Sequence, residues 1–191
     1  MKHTLVALVE DKPGVLNRVS SLFRRRVFNI ESLTVGHTEQ PHISRMTIVV
    51  DASQTSVHQV EMNLAKLINV LDVQDITEQD TIVRDLALIK VRADAATRAE
   101  IAQLADIFRG KIIDVAHDAV VVEISGAEDK VDGFVELLRP KGIIEMVRTG
   151  RVAMLRAKQW AAEKRGLQSA AGRHPAVANG ANGHDSSSGS V

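Results

Sequence analysis

Residues Leu5–Val35, LVALVEDKPGVLNRVSSLFRRRVFNIESLTV, read as strand, loop, helix and strand. Leu5 to Val9 is an unbroken apolar run, the pattern of a strand buried on both faces. Glu10, Asp11, Lys12 and Pro13 interrupt it. A helix follows, carrying Val15, Leu16, Val19, Leu22 and Phe23 along one face. Phe28 to Val35 returns to β character. Pro13 suits the first helical position, where its fixed φ fits and its missing N–H costs nothing. Gly14, with no Cβ, lets a small molecule approach the backbone. The free N–H groups of the first turn and the positive end of the helix dipole favour a carboxylate. Asp11 beside them can accept hydrogen bonds from an ammonium. Together these groups fit an amino acid; the plain alternative is an ordinary turn ahead of a helix start.

Beyond this stretch, Thr38–His42 is a turn and Ser44–Val50 a strand antiparallel to the one before it. Asp51 to Gln54 is polar and able to cap. Val57, Val60, Leu64, Leu67 and Ile68 make a second helical stripe, and Val70–Ile76 a closing strand. The order is βαββαβ, the ferredoxin-like pattern.

The same order recurs. Leu86–Val91 is a strand, Ile101, Leu104, Ala105 and Phe108 line a helix, and Ile112–Val115 and Val120–Ile124 pair around His117-Asp118. Val131, Phe134, Val135 and Leu138 form another helical face, and Ile143–Val147 is a strand, with Val152–Leu155 a short addition. Phe23-Arg24 before Asn29-Ile30 resembles Phe108-Arg109 before Ile112-Ile113. The fold class is therefore α+β: two consecutive ferredoxin-like units, each an antiparallel sheet with helices on one face. They join near Asp80, giving domains at residues 1–78 and 79–157. Residues 158–191 are expected to form a short helix around Trp160, the only Trp, and then a disordered Gly/Ala/Asn/Ser tail. The second unit lacks the Asp-x-Pro-Gly loop, so a ligand site of this kind belongs to the first.

Composition excludes several functions. With 24 basic and 24 acidic residues the chain is formally neutral, which argues against coating nucleic acid or an anionic membrane. Aromatic residues are 3% of the total and Tyr is absent, so platforms for stacking bases are scarce. Cysteine is absent, which removes thiolate chemistry and disulfides and fits a reducing cytoplasm. No apolar run is long enough to cross a bilayer, and Met1-Lys2-His3 leads straight into a strand rather than a signal peptide. Seven histidines show no metal-ligand spacing, so no metal site is expected. Arg24-Arg25-Arg26 reads as cations closing a helix, where they complement the negative end of its dipole, rather than as a phosphate site. Glu10 and Glu31 read as salt-bridge partners rather than a catalytic pair. No nucleotide fingerprint or Gly-x-Ser-x-Gly motif is present, and no catalytic residue is assigned.

VEDKPGVL (Val9–Leu16), FNIESLTV (Phe28–Val35), SRMTIVV (Ser44–Val50), LALIKV (Leu86–Val91) and FRGKIIDV (Phe108–Val115) resemble the regulatory (small) subunits of acetolactate synthase, or acetohydroxyacid synthase. The resemblance spans roughly residues 2–157 and implies an N-terminal ACT domain followed by a ferredoxin-like domain. It implies a homodimer through paired ACT domains, with valine or a related branched-chain amino acid at their interface. The effector-binding residues it implies are Asp11, Gly14, Val15 and Leu16 from one chain, and Asn29 and Ile30 from its partner. On that assignment, the N–H groups of Gly14–Leu16 hold the carboxylate, Asp11 or a backbone carbonyl takes the ammonium, Asn29 supplies an amide and Ile30 an apolar contact. The resemblance further implies a chain with no cofactor of its own. Its catalytic (large) partner subunit would carry thiamine diphosphate, Mg2+ and FAD. The small subunit would activate that partner and make it inhibitable by end product.

Two positions depart from the family: Asp11, where some members have Asn, and Val27, where Gly is usual. A left-handed helix cap at Val27 would cost roughly 1–2 kcal/mol. Two other functions compete: a free-standing ACT amino-acid sensor, and an acylphosphatase-like enzyme using Asn29 to orient water.

Overall fold

The computed structural model describes residues 2–26, 28–51 and 56–158. Val27, residues 52–55, Trp160 and the tail to Val191 lie outside the described residues. Expectations about the Val27 cap and about the tail fall there. The elements are β1 (Lys2–Glu10), α1 (Val15–Arg25), β2 (Asn29–His37), β3 (Ile43–Asp51), α2 (Val57–Leu64) and β4 (Val70–Asp75) in the first half. They are followed by β5 (Thr81–Arg92), α3 (Thr97–Ile107), β6 (Lys111–Val115), β7 (Ala119–Gly126), α4 (Glu128–Gly142), β8 (Ile143–Arg148) and β9 (Val152–Leu155). Both βαββαβ runs are present, as the alternation of periods 2 and 3.6 predicts.

Both sheets are antiparallel and share one strand order, β2-β3-β1-β4 in the first and β6-β7-β5-β8 in the second. They also share irregularities. The pairing of β2 with β3 slips between Ile30 and Ser32, and that of β6 with β7 slips between Ile112 and Asp114. Each slip is a bulge one residue wide. Helix ends match too: Phe28 N–H donates to Phe23 O, and Gly110 N–H to Ala105 O. Phe23 thus corresponds to Ala105. The Phe-Arg likeness expected between Phe23 and Phe108 is three residues out of register, because Phe108 caps its helix rather than lying within it. From that cap it packs on Phe134, ring centroids 5.2 Å apart.

Leu5, Ala7 and Val9 of β1 face α1 and α2, where they join Val15, Val19, Leu22, Phe23, Met46, Ile48, Val60 and Leu64 in one core. Val6 points the other way and is also buried, against Ile76, Ala153, Val83 and Leu155. The apolar run is buried on both faces because β5 is long. Its residues Thr81–Arg84 pair with β9, and this ribbon covers the face of the first sheet that the helices leave open. Ala87, Ile89 and Val91 of the same strand then build the second core with Ile101, Val122, Phe134 and Leu138. Residues Met1–Arg156 consequently form one compact unit containing both sheets.

Three local expectations are corrected. Helix α1 begins at Val15 with Gly14 as its N-cap, so Pro13 precedes the helix instead of opening it. Leu16, placed in the buried stripe, is 46% exposed, while Val15, Val19, Leu22 and Phe23 are buried. Helix α2 ends at Leu64; Leu67 reaches the core from the following turn, and Ile68 is left 83% exposed.

Candidate functional site

Gly14 has φ +86° and ψ −7°, a left-handed conformation. A Cβ there would meet nothing within 4 Å, so the backbone angle, rather than crowding within this chain, requires glycine. No side chain caps α1. Val15 N–H makes a long bond to Lys12 O at 3.3 Å, whereas Gly14 and Leu16 N–H find no backbone acceptor among the described residues. This helix start is open to an anion.

Asp11 and its surroundings complete the end of the sheet. Asp11 N–H donates to His42 O at 2.8 Å, and its carboxylate lies 3.5 Å from His37 Nδ1. His42 has φ +65° in the turn between β2 and β3. Neither histidine stood out in the sequence, since only the β2–β3 pairing brings them to this loop. Below the loop, the Glu10 carboxylate accepts from the Asn69 amide at 2.5 Å and from the Lys12 ammonium at 3.0 Å, while Arg18 donates to Asn69 at 2.8 Å. Hydrogen bonding by Asn69, then by Lys12, holds the Glu10 carboxyl below its ordinary value. Its stabilising contribution is thus present above the ordinary carboxylate pKa and disappears as pH falls through the depressed folded value. An NMR titration of Asn69→Ala should show the Glu10 pKa rising; an unmoved value would rule out Asn69 as the cause.

Glu31 pairs with Lys2 at 2.8 Å, at the other end of the sheet from Glu10. The two glutamates are separate salt-bridge partners, as expected.

Asn29 and Ile30 are not near the loop in the same chain. Asn29 lies level with Asp51, and Asp51 with Lys2, at the start of β1, whereas Asp11 follows its end. Eight residues of strand, at about 3.4 Å each, separate the two groups by roughly 27 Å. Asn29 is exposed on the face away from the helices, and Ile30 is half-buried against the first core. Within one chain Asn29 therefore cannot orient a water at the Asp11–Gly14 loop, the arrangement an acylphosphatase-like reaction requires. The outer edge of β2 carries no strand among the described residues, since β2 pairs only with β3.

The matching loop of the second unit is built differently. Asp94 accepts hydrogen bonds from Ala96 N–H (2.9 Å), Thr97 N–H (2.8 Å) and the Thr97 hydroxyl (2.8 Å). Those bonds, from Thr97 foremost, hold its carboxyl below the usual range. This helix start already holds a carboxylate of its own. Among the described residues there is no group of three or more His, Cys, Asp or Glu placed to hold a metal, and no helix long and apolar enough to cross a membrane.

Comparison with known proteins returns the same two halves. Residues 5–72 match the family described as the AHAS small subunit-like ACT domain, and residues 84–157 match the family described as the small subunit of acetolactate synthase. The Archaeoglobus fulgidus protein named "Probable acetolactate synthase small subunit" is 53% identical over 159 residues, covering 83% of this chain and 99% of that protein. The acetolactate synthase small subunit of Mycolicibacterium smegmatis is 49% identical over 154 residues, covering 81% and 91%. The crystal structure of the Thermotoga maritima acetolactate synthase small subunit superposes with a TM-score of 0.76 at 45% identity, over 82% of this chain and 98% of that one.

Proposed function

Because the chain belongs to the acetolactate synthase small-subunit family, we propose that it binds a separate catalytic subunit, activates it, and confers feedback inhibition by valine or a related branched-chain amino acid. Residues 1–78 act as the effector-binding ACT domain and residues 79–157 as a second ferredoxin-like domain. The chain works in the cytoplasm and does no chemistry itself. Thiamine diphosphate, Mg2+ and FAD belong to the catalytic subunit, which joins pyruvate to a second 2-keto acid.

The observation that carries the effector site is the outer edge of β2, which pairs with no strand among the described residues. Two copies of β2 laid antiparallel about Leu33 set Asn29 of one chain opposite His37 of the other, since 33 is the midpoint of residues 29–37. His37 touches Asp11. One two-fold operation therefore closes the 27 Å gap of roughly eight residues that a single chain leaves. The site it completes has Asp11, Gly14, Val15 and Leu16 from one chain, and Asn29 and Ile30 from its partner.

The amino acid's carboxylate meets the open N–H groups of Gly14 and Leu16, its ammonium meets Asp11, and its branched side chain lies against exposed Leu16 and Ile30. Val15 contributes backbone only, because its side chain is buried. Selectivity among valine, leucine and isoleucine is modest, since one methylene is worth about 1–3 kcal/mol.

Isothermal titration of the purified chain with the three amino acids tests the site. Saturable binding at about two sites per dimer is expected. A chain that stays monomeric, or that binds none of the three, would refute the shared site. Added to the catalytic subunit, the chain should raise acetolactate formation; no stimulation would refute the activating role.

A further inference from the structure

Between β8 and β9 the chain makes a three-residue turn, Thr149-Gly150-Arg151, which lies on the open face of β2. Ser32 Oγ accepts the Arg151 N–H at 3.1 Å. The Thr34 hydroxyl lies within hydrogen-bond distance of both the Arg151 and the Thr149 carbonyls, at 3.2 and 3.3 Å. The Arg151 guanidinium donates to the Thr4 hydroxyl of β1 at 2.8 Å and to Glu128 at the head of α4. On the other side Arg148 is held by Asp85 of β5 and, at 2.6 Å, by Asp132 of α4. The turn is thus bonded to β1 and β2 of the first sheet, while its flanks are bonded to β5 and α4 of the second.

Gly150 sets the fit. Its φ is +80°, and a Cβ would lie 2.3 Å from Ser32 Oγ. Any other residue strains the turn and displaces the Ser32 hydroxyl from its bond to the Arg151 N–H. A cavity of about 480 Å³ adjoins the contact, with Glu31, Ser32 and Leu33 on one wall and Arg148 and Arg151 on the other. β2 is therefore held to the turn by specific bonds, with open space beside it in which to move.

Ser32 lies three positions from Asn29 on the same strand, across the bulge at Glu31. We propose that the Thr149–Arg151 turn is the element that passes amino-acid occupancy at Asn29 and Ile30 from β2 to the second sheet. This proposal rests on the effector site described above. An amino acid that favours one seating of β2 on the turn shifts the second sheet with it, and only that difference in affinity is transmitted.

The test uses the full chain reconstituted with its catalytic subunit, with valine as the probe. Thr34→Val keeps the side-chain shape and removes the hydroxyl; Gly150→Ala displaces the Ser32 hydroxyl from the turn; Ser32→Ala serves as a milder variant should Gly150→Ala fail to fold. Valine binding by calorimetry should stay close to wild type in these variants, and stimulation without valine should persist. The valine concentration for half-inhibition should rise about tenfold, the usual scale of allosteric coupling. Wild-type inhibition curves in Thr34→Val and Gly150→Ala would overturn the coupling role alone. Loss of valine binding together with inhibition would also overturn it, by showing that the turn only supports the binding site. If the wild-type chain itself does not bind valine, the effector site is refuted and the coupling falls with it.

Discussion

Gly14→Asp is expected to abolish inhibition by valine while leaving stimulation of the catalytic subunit intact. Two effects combine. The φ of +86° at this position is one that residues with a Cβ adopt at a cost of roughly 1–2 kcal/mol. The new carboxylate would also sit at the uncapped start of α1, where it can take the N–H groups meant for the ligand and repel the ligand's own carboxylate. Loss of charge-assisted hydrogen bonds worth about 1.5–3 kcal/mol each corresponds to a tenfold to hundredfold weaker affinity or more. Gly14→Ala separates the two effects, since it carries the strain without the charge. It should lower folding stability by about 1 kcal/mol yet keep measurable valine binding. Calorimetry on both variants decides: Gly14→Asp binding valine as well as wild type would remove the helix start from the site.

Arg148→Ala is expected to cost the most stability, about 3–5 kcal/mol by chemical denaturation. Asp85 is 5% exposed and its carboxylate is paired with the Arg148 guanidinium, which also holds Asp132. Removing the cation leaves a buried carboxylate with only the Thr149 hydroxyl, at 3.3 Å, from the set that now satisfies it. The penalty comes from the stranded charge rather than from the worth of the pair. Arg148→Met combined with Asp85→Leu should therefore recover a large part of the loss. A double variant no more stable than Arg148→Ala would show that the stranded Asp85 charge is not the source of the loss.

Much of this was legible along the chain. The i, i+4, i+7 stripes of Val15, Val19 and Leu22 and of Val131, Val135 and Leu138 announce their helices, because helical period depends only on neighbours in sequence. The local motifs around Gly14 and Asn29 carried the family, and with it the expected site residues. Misplacements occurred where a local pattern has two solutions. Pro13 is compatible with the position before a helix as well as the first within it, and only the backbone angle of Gly14 chooses. Leu16 and Ile68 continue their apolar stripes by spacing, yet both are exposed, Ile68 because its helix has already ended at Leu64.

By itself, the sequence determined the element order, the two-unit repeat, the family and the residue types in the Asp11–Gly14 loop. Tertiary structure alone decided how those residues are distributed in space. Asp11 and Asn29 stand at opposite ends of one sheet because β2 pairs with β3 and β3 with β1, and strand registers are contacts between residues far apart in sequence. In the same way, Val6 is buried by Ala153, and Ser32 meets Arg151 over a gap at which Gly150 alone fits. No periodicity encodes such contacts; they follow from the burial of both faces of the first sheet when the whole chain folds.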